Sequence, residues 1–384
     1  MKITLSDPIL VAEGPVREIR WGRYQFPTFG RIGNRITLTF HVAEDSPRAY
    51  GQIGEQPNRG LSADGGRTWS LVRATEPTDG LLLPNGDHIR IGTPEVTPKS
   101  IPVGELTLPA PVGTLIGTYG HLPYTYYRHD ELPLILQGVP LSRRPAGSDR
   151  WVEERARLDD PAMQRYTIQE VFPVVWWGDV HLTTDGSLLA IVYPCSAEGE
   201  VACYRSRDFA RSWQPQGRIL YRPDLKADPL AAGRTWGFTE PGTVILRDGS
   251  LLAALRTTDG LGVGPMYLTR SKDQGRSWPA PHVMSPTGVM PRLLQLGNGV
   301  IVLSSGRPGV DLRFSFDHRG ETWTEPHALV PLTSDDVQAD SCGYTNLIAL
   351  DDDSFLVAYS WFKRPGTDGQ THKAVLVRRV TVLP

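Results

Sequence analysis

A chain of 384 residues, 40% of them hydrophobic, can bury a substantial core in two ordinary domains or in one repeat-built domain. Its formal net charge of -2 argues against nucleic acid or an anionic membrane as a partner. Contents of Gly 39 and Pro 33 suit many short strands separated by turns rather than a helical protein. Three cysteines, Cys195, Cys203 and Cys342, make no disulfide framework. Cys195 and Cys203 could face each other across a hairpin, but buried free thiols are the expectation. The opening Met1-Lys2-Ile3-Thr4-Leu5 lacks the apolar stretch of a leader, so the chain as written is expected in the cytoplasm, or secreted or periplasmic had a leader been removed.

Taken in chain order, turn centres flanked by strand-like runs fall at Gly33-Asn34, Asn85-Gly86, Asp185-Gly186, Asp248-Gly249, Asn298-Gly299 and Asp352-Asp353. Most intervals are about fifty to sixty residues, a period that indicates a propeller or solenoid with one small sheet per repeat. The interval between the second and third turns is about twice as long and carries an insertion, taken as 93–169 and expected near the functional rim. The fourth hairpin opens with the carboxylate Glu240 and closes with the cation Arg256, which places both at one end of it.

A second repeat follows several hairpins. It reads Ser-Ala-Asp-Gly-Gly-Arg-Thr-Trp at 62–69, Ser-Arg-Asp-Phe-Ala-Arg-Ser-Trp at 206–213 and Ser-Lys-Asp-Gln-Gly-Arg-Ser-Trp at 271–278, with a version one residue longer at 315–323. In each, the Asp accepts local backbone N–H bonds, the small residue permits a positive φ and the Trp plugs apolar surface. Ser148-Asp149-Arg150-Trp151 is at best a remnant. These octets resemble the Asp boxes (BNR repeats) of the sialidase (neuraminidase) superfamily. The resemblance spans nearly the whole chain and implies an all-β, six-bladed β-propeller. The strand-like Lys2-Ile3-Thr4-Leu5 and the run 374–380 are expected to complete one blade together.

If each blade runs outward from the centre, the octets share an end with the hairpin turns, and function belongs at the opposite end. Counting back from the turns places Phe26, Trp177, Glu240, Met290 and Tyr344 at that rim, and counting forward adds His41, Tyr193, Arg256, Arg307 and Tyr359. Packing alone would call for apolar residues at all of these. The resemblance implies a tyrosine nucleophile activated by a glutamate, and three arginines holding a substrate carboxylate. By position Tyr344 matches the nucleophile and Glu240 its base, with Arg256 and Arg307 in the clamp and Arg292 as a further candidate. The general acid would come from the loop after the second strand, here His41-Val42-Ala43-Glu44-Asp45-Ser46, so Asp45 or Glu44 is expected. Where the family has Arg-Ile-Pro this chain has Gln25-Phe26-Pro27. Losing a charge-assisted contact to a carboxylate costs about 1.5–3 kcal/mol, with Gln25, Arg20, Arg23 or Arg31 as possible replacements.

Trp177 and Trp236 are candidate sugar-stacking platforms, and His121 is the imidazole of the aromatic segment 120–129 in the insertion. No metal-ligand spacing or nucleotide-binding glycine loop occurs, so no cofactor is expected, a structural Ca²⁺ aside. The reading is a monomeric, retaining exo-glycoside hydrolase acting on a terminal acidic sugar of a glycan. Two rivals are weighed beside it: a polysaccharide lyase using Tyr344, His41 or His121 next to a uronic acid, and a non-catalytic glycan-binding propeller.

Overall fold

The computed structural model describes residues 2–45, 56–75, 77–91, 100–116, 123–173, 176–193, 199–233, 236–257 and 264–383. The fold is all-β, and its helical content in these residues is confined to short 3₁₀ turns such as His129–Glu131. Among the described residues no helix is long and apolar enough to cross a membrane.

All six turn centres join antiparallel strands. The first closes in two residues, Gly33 and Asn34 between the paired Ile32 and Arg35, whereas the others are wider. Between Phe238–Ile245 and Leu251–Thr257 the Leu246 N–H donates to Ser250 O and the Gly249 N–H to Leu246 O. Gly249 sits at φ 78, a conformation that costs glycine little, and Asp248 Oδ1 accepts from the Ser250 N–H at 3.0 Å.

Each hairpin is extended into a meander. Gln25–Ile32, Arg35–His41, Arg59–Ser62 and Ser70–Val72 form one four-stranded sheet, and two further sheets of four begin at Phe238 and Val289. An eight-stranded sheet holds two more meanders, joined edge to edge where Arg157 and Leu158 run parallel to Ser212 and Trp213. The last sheet is closed by both ends of the sequence. Lys2–Leu5 and Ile9–Glu13 pair with Thr371–Leu383, which pairs with Ser354–Pro365 and through it with Thr345–Ala349. The first strands pack against one another in chain order, Gly178–Leu182 on Phe238–Ile245, that on Val289–Gln295, that on Thr345–Ala349, and that on Gln25–Ile32. Valine, leucine and aromatic clusters fill the space between neighbouring sheets.

Residues 93–169 divide between two sheets. Val139–Arg144 and Val152–Leu158 complete the meander begun at Leu81–Leu82, whereas Ser100–Pro102, Gly113–Ile116, Pro123–Arg128, Gln164–Ile168 and Val171–Pro173 form a separate five-stranded sheet. His121 and Cys195 lie outside the described residues; Cys203 and Cys342 are buried free thiols.

The octets lie between third and fourth strands. In 271–278, Asp273 Oδ1 accepts from Ser271 Oγ at 2.7 Å and the Ser277 N–H at 2.9 Å, while Trp278 Nε1 donates to Gly275 O at 3.2 Å. The same bonds recur about Asp64 and, in the longer version, about Asp317. Because strands alternate direction, these turns share an end with the hairpin loops, and the opposite end holds the residues considered next.

Candidate active site

Three first strands carry the same irregularity. Phe26, Glu240 and Met290 stand at φ 56, 45 and 42, each is followed by a proline, and the pairing register slips at each. A proline cannot donate to the ladder, so an extra residue is accommodated as a bulge that re-aims its side chain. Left-handed φ values are uncommon for such residues, and their gathering at one end of the sheets marks a place where local strain is tolerated.

The bulge at Glu240 turns its carboxylate onto residues distant in sequence. Glu240 Oε1 accepts from the Tyr344 hydroxyl and lies 2.7 Å from Arg256 Nη1; Oε2 accepts from the Met290 N–H at 3.1 Å. Arg256 Nη1 also donates to Tyr344 Oη at 3.3 Å. Arg307 completes the group, its guanidinium carbon 5.6 Å from the centre of the Tyr344 ring and its Nε donating to Cys342 O at 2.8 Å. Although Arg307 is only 6% exposed, no described carboxylate lies within ion-pair distance of it. Two guanidinium groups thus face one carboxylate.

Burial drives the Glu240 carboxyl upward, but Arg256, the Tyr344 hydroxyl and Arg307 outweigh it and hold it below the usual carboxylate range. Burial and the Glu240 charge push the Tyr344 phenol well above its ordinary value, against Arg256 and Arg307. Burial, then Arg256, pulls Arg307 down. At neutral pH the group therefore holds a neutral phenol, an ionised Glu240 and a net positive charge.

The other sequence candidates divide between this centre and places away from it. Phe26 packs edge-on against Tyr344 at 4.8 Å and His41 at 5.0 Å. Asp45 donates its N–H to Trp21 O at 3.0 Å, while Glu44 is exposed and its charge falls on Arg20. Gln25 is 0% exposed, with neither amide atom hydrogen-bonded, so it is enclosed rather than presented to a ligand. Arg20 and Arg23 are turned to Glu18, at 2.8 and 3.7 Å, and Arg31 to Ala349 O at 3.3 Å. Arg292 is tied to Asp179 Oδ1 at 3.0 Å, and Asp179 also accepts from the Thr243 N–H at 2.8 Å, so this pair braces three neighbouring first strands.

Trp177 and Tyr193 stack with ring centres 6.4 Å apart and, with Met163, Arg165, Tyr166 and Trp176, wall a cleft beside the centre. Tyr193 belongs to the electrostatic surroundings of Arg256. Trp236 packs edge-on against Tyr124 at 4.8 Å, so the five-stranded extra sheet touches the segment that leads into Phe238–Ile245. Sequence reasoning missed Trp21, whose ring centre is 5.2 Å from the Arg307 guanidinium carbon. It lies outside every repeat, and no spacing marks it.

Fold and site together describe an all-β scaffold of antiparallel meanders with a Tyr–Glu–Arg centre at one end, its arginines buried and Tyr344 and Glu240 partly so. That fold is sialidase-like. The chain is similar to a protein of unknown function from Dyadobacter fermentans DSM 18053, at 18% identity and a TM-score of 0.55 over 99% of each chain. It is similar to the Hadza microbial sialidase Hz136, at 16% identity and a TM-score of 0.50, over 93% of this chain and 66% of that one. It also matches the NanB sialidase of Streptococcus pneumoniae, at 13% identity and a TM-score of 0.50, over 98% of this chain and 71% of that one. At these identities the likeness is one of fold. No protein-family model matches the sequence, and no curated protein matches it.

Proposed function

We propose that the protein is a six-bladed β-propeller acting as a retaining exo-glycoside hydrolase on a terminal acidic sugar, with sialic acid the first substrate to test. The observation that carries this reading is the deeply buried Arg307, with no acid within ion-pair distance among the described residues, over the ring of a tyrosine that is hydrogen-bonded to Glu240. A cation held out of water with its charge uncompensated is a seat for an anion. Arg256 and Arg307 would take the sugar carboxylate.

Tyr344 Oη would attack the anomeric carbon as the glycosidic C–O bond breaks. Glu240 receives the phenol proton, and the leaving oxygen takes one from Asp45. Water then attacks the anomeric carbon, giving a proton to Asp45 as the glycosyl–tyrosine bond breaks. The released Tyr344 oxygen takes its proton back from Glu240, with net retention, a tyrosine variant of the two-carboxylate scheme. The raised phenol value suits this role, because a neutral nucleophile does not repel an anionic sugar as a carboxylate would.

Release of a fluorophore from an aryl α-sialoside tests the reading. Turnover by the parent should fall at least about 10²-fold in Tyr344→Phe; a parent that releases nothing would overturn sialoside hydrolysis. The enclosure of Gln25, where the family carries an arginine, keeps a uronate lyase as the second reading. An unsaturated product from a uronate-containing glycan would favour it.

A further inference from the structure

Trp21 lies in the segment between the strands Ile9–Glu13 and Gln25–Ile32. Its ring and that of Tyr344 both face the Arg307 guanidinium, with its carbon 5.2 and 5.6 Å from the two ring centres. Edge contacts fix the Trp21 ring, to Phe26 at 6.4 Å and 72° and to Phe362 at 6.0 Å and 89°. Phe26 leans in turn on Tyr344. A carboxylate beside Arg307 would orient it equally well but would neutralise the charge and compete with the substrate. An aromatic face attracts and orients a guanidinium while leaving its charge intact.

The backbone of the same segment reaches the acid loop. Trp21 O accepts from the Asp45 N–H at 3.0 Å. Gly22 stands at φ 96, and a Cβ there would lie 2.2 Å from Asp45 N and 2.7 Å from Asp45 Cβ. Only glycine permits both that conformation and that approach.

We infer that Trp21 is a positioning residue, holding Arg307 ready for the substrate carboxylate, and that Gly22 seats the Asp45 loop beside it. This rests on the hydrolase reading above. The test is kcat and KM for the aryl α-sialoside, with thermal melts, in Trp21→Leu, Trp21→Phe, Arg307→Ala and Gly22→Ala. Leucine fills apolar space without a π face, so Trp21→Leu should raise KM about tenfold while Trp21→Phe stays within about threefold of the parent. A residue that merely fills space would not separate these two. Gly22→Ala should lower kcat by about tenfold or more with KM little changed, because it displaces the acid rather than the clamp.

If Arg307→Ala raises KM but Trp21→Leu does not, the positioning role is overturned and the hydrolase reading stands. An unchanged kcat in Gly22→Ala overturns the seating of Asp45. A parent that neither turns over the sialoside nor binds N-acetylneuraminic acid by calorimetry overturns the hydrolase reading and this inference with it.

Discussion

Glu240 combines a strained backbone with a carboxylate enclosed among Tyr344, Arg256 and the Met290 N–H. Removing its charge leaves Arg256 buried without its acid, and breaking a buried pair in this way costs about 3–5 kcal/mol. Glu240→Gln should therefore lower the urea midpoint markedly as well as abolish sialoside turnover, which equilibrium unfolding and the fluorophore assay would show together. The pH dependence follows from the sign of the shift. The Glu240 value is depressed from 4.5, so the ionised form is complete above that value and is lost as pH falls through the depressed one. The acid limb of kcat/KM should accordingly lie below pH 4.5. A substrate carboxylate on the arginines weakens their hold on Glu240, so the acid limb of kcat should lie higher than that of kcat/KM. At this scale the sequence was partly readable. Glu240 and Arg256 could be paired because a hairpin brings its two ends together. Trp21 could not be found, because a cation between two rings is made by three segments with no common spacing. Arg292 was misleading in the same way: its place beside the bulge is rim-like, but Asp179 on another sheet claims it.

At the scale of elements, turns and octets were the legible parts, since both write their geometry locally. Asp-Gly and Asn-Gly pairs name the residue that takes a positive φ, and Ser-x-Asp with Ser or Thr four residues beyond the Asp names the acceptor and its donors. The bulges were less visible: the prolines at 27, 241 and 291 are evident, but only the register shows that the preceding residue swings out. Hydrogen bonds from Ser277, its N–H and its hydroxyl, hold the Asp273 carboxyl at about 2, and this contribution is present above the ordinary 3.8 and lost as pH falls toward 2. Asp273→Ala should cost about 1–3 kcal/mol in unfolding free energy. Because the octet lies at the far end of its sheet from Glu240, kcat per folded molecule should stay at the parent value. A fall in kcat without a loss of stability would contradict this division between the two ends.

At the scale of the whole molecule, the sheet bearing Thr345–Ala349 is closed by the strands Lys2–Leu5 and Ile9–Glu13. The sequence showed that both ends are strand-like, but not that Thr371–Leu383 takes both early strands as partners. Nor did it show that 93–169 contributes to two sheets, because outer strands of a meander and strands of an added sheet share the same alternation. Beside this closure His372 contacts Gly14 O at 3.0 Å and Asp368 Oδ2 at 3.0 Å, with Glu13, itself paired to Arg364, close by. These partners raise the His372 value above 6.5, the Gly14 carbonyl first and the Asp368 side chain next. Its contribution to stability is therefore full below pH 6.5 and is lost as pH rises through the raised value. Melting temperatures measured across that window should fall for the parent more than for His372→Gln.

The closing sheet also sets when the fold can be completed during synthesis. A nascent chain halted after residue 350 already contains Glu240, Arg256, Arg307 and Tyr344, yet lacks Ser354–Pro365 and Thr371–Leu383. Without those strands Lys2–Leu5 and Ile9–Glu13 have nothing to pair with, and Trp21 follows them directly. The separation of residues 2–5 from 380–383 makes this among the longest loops the polypeptide must close. Translation thus delivers these four residues early and withholds their assembly until Thr371–Leu383 has left the ribosome.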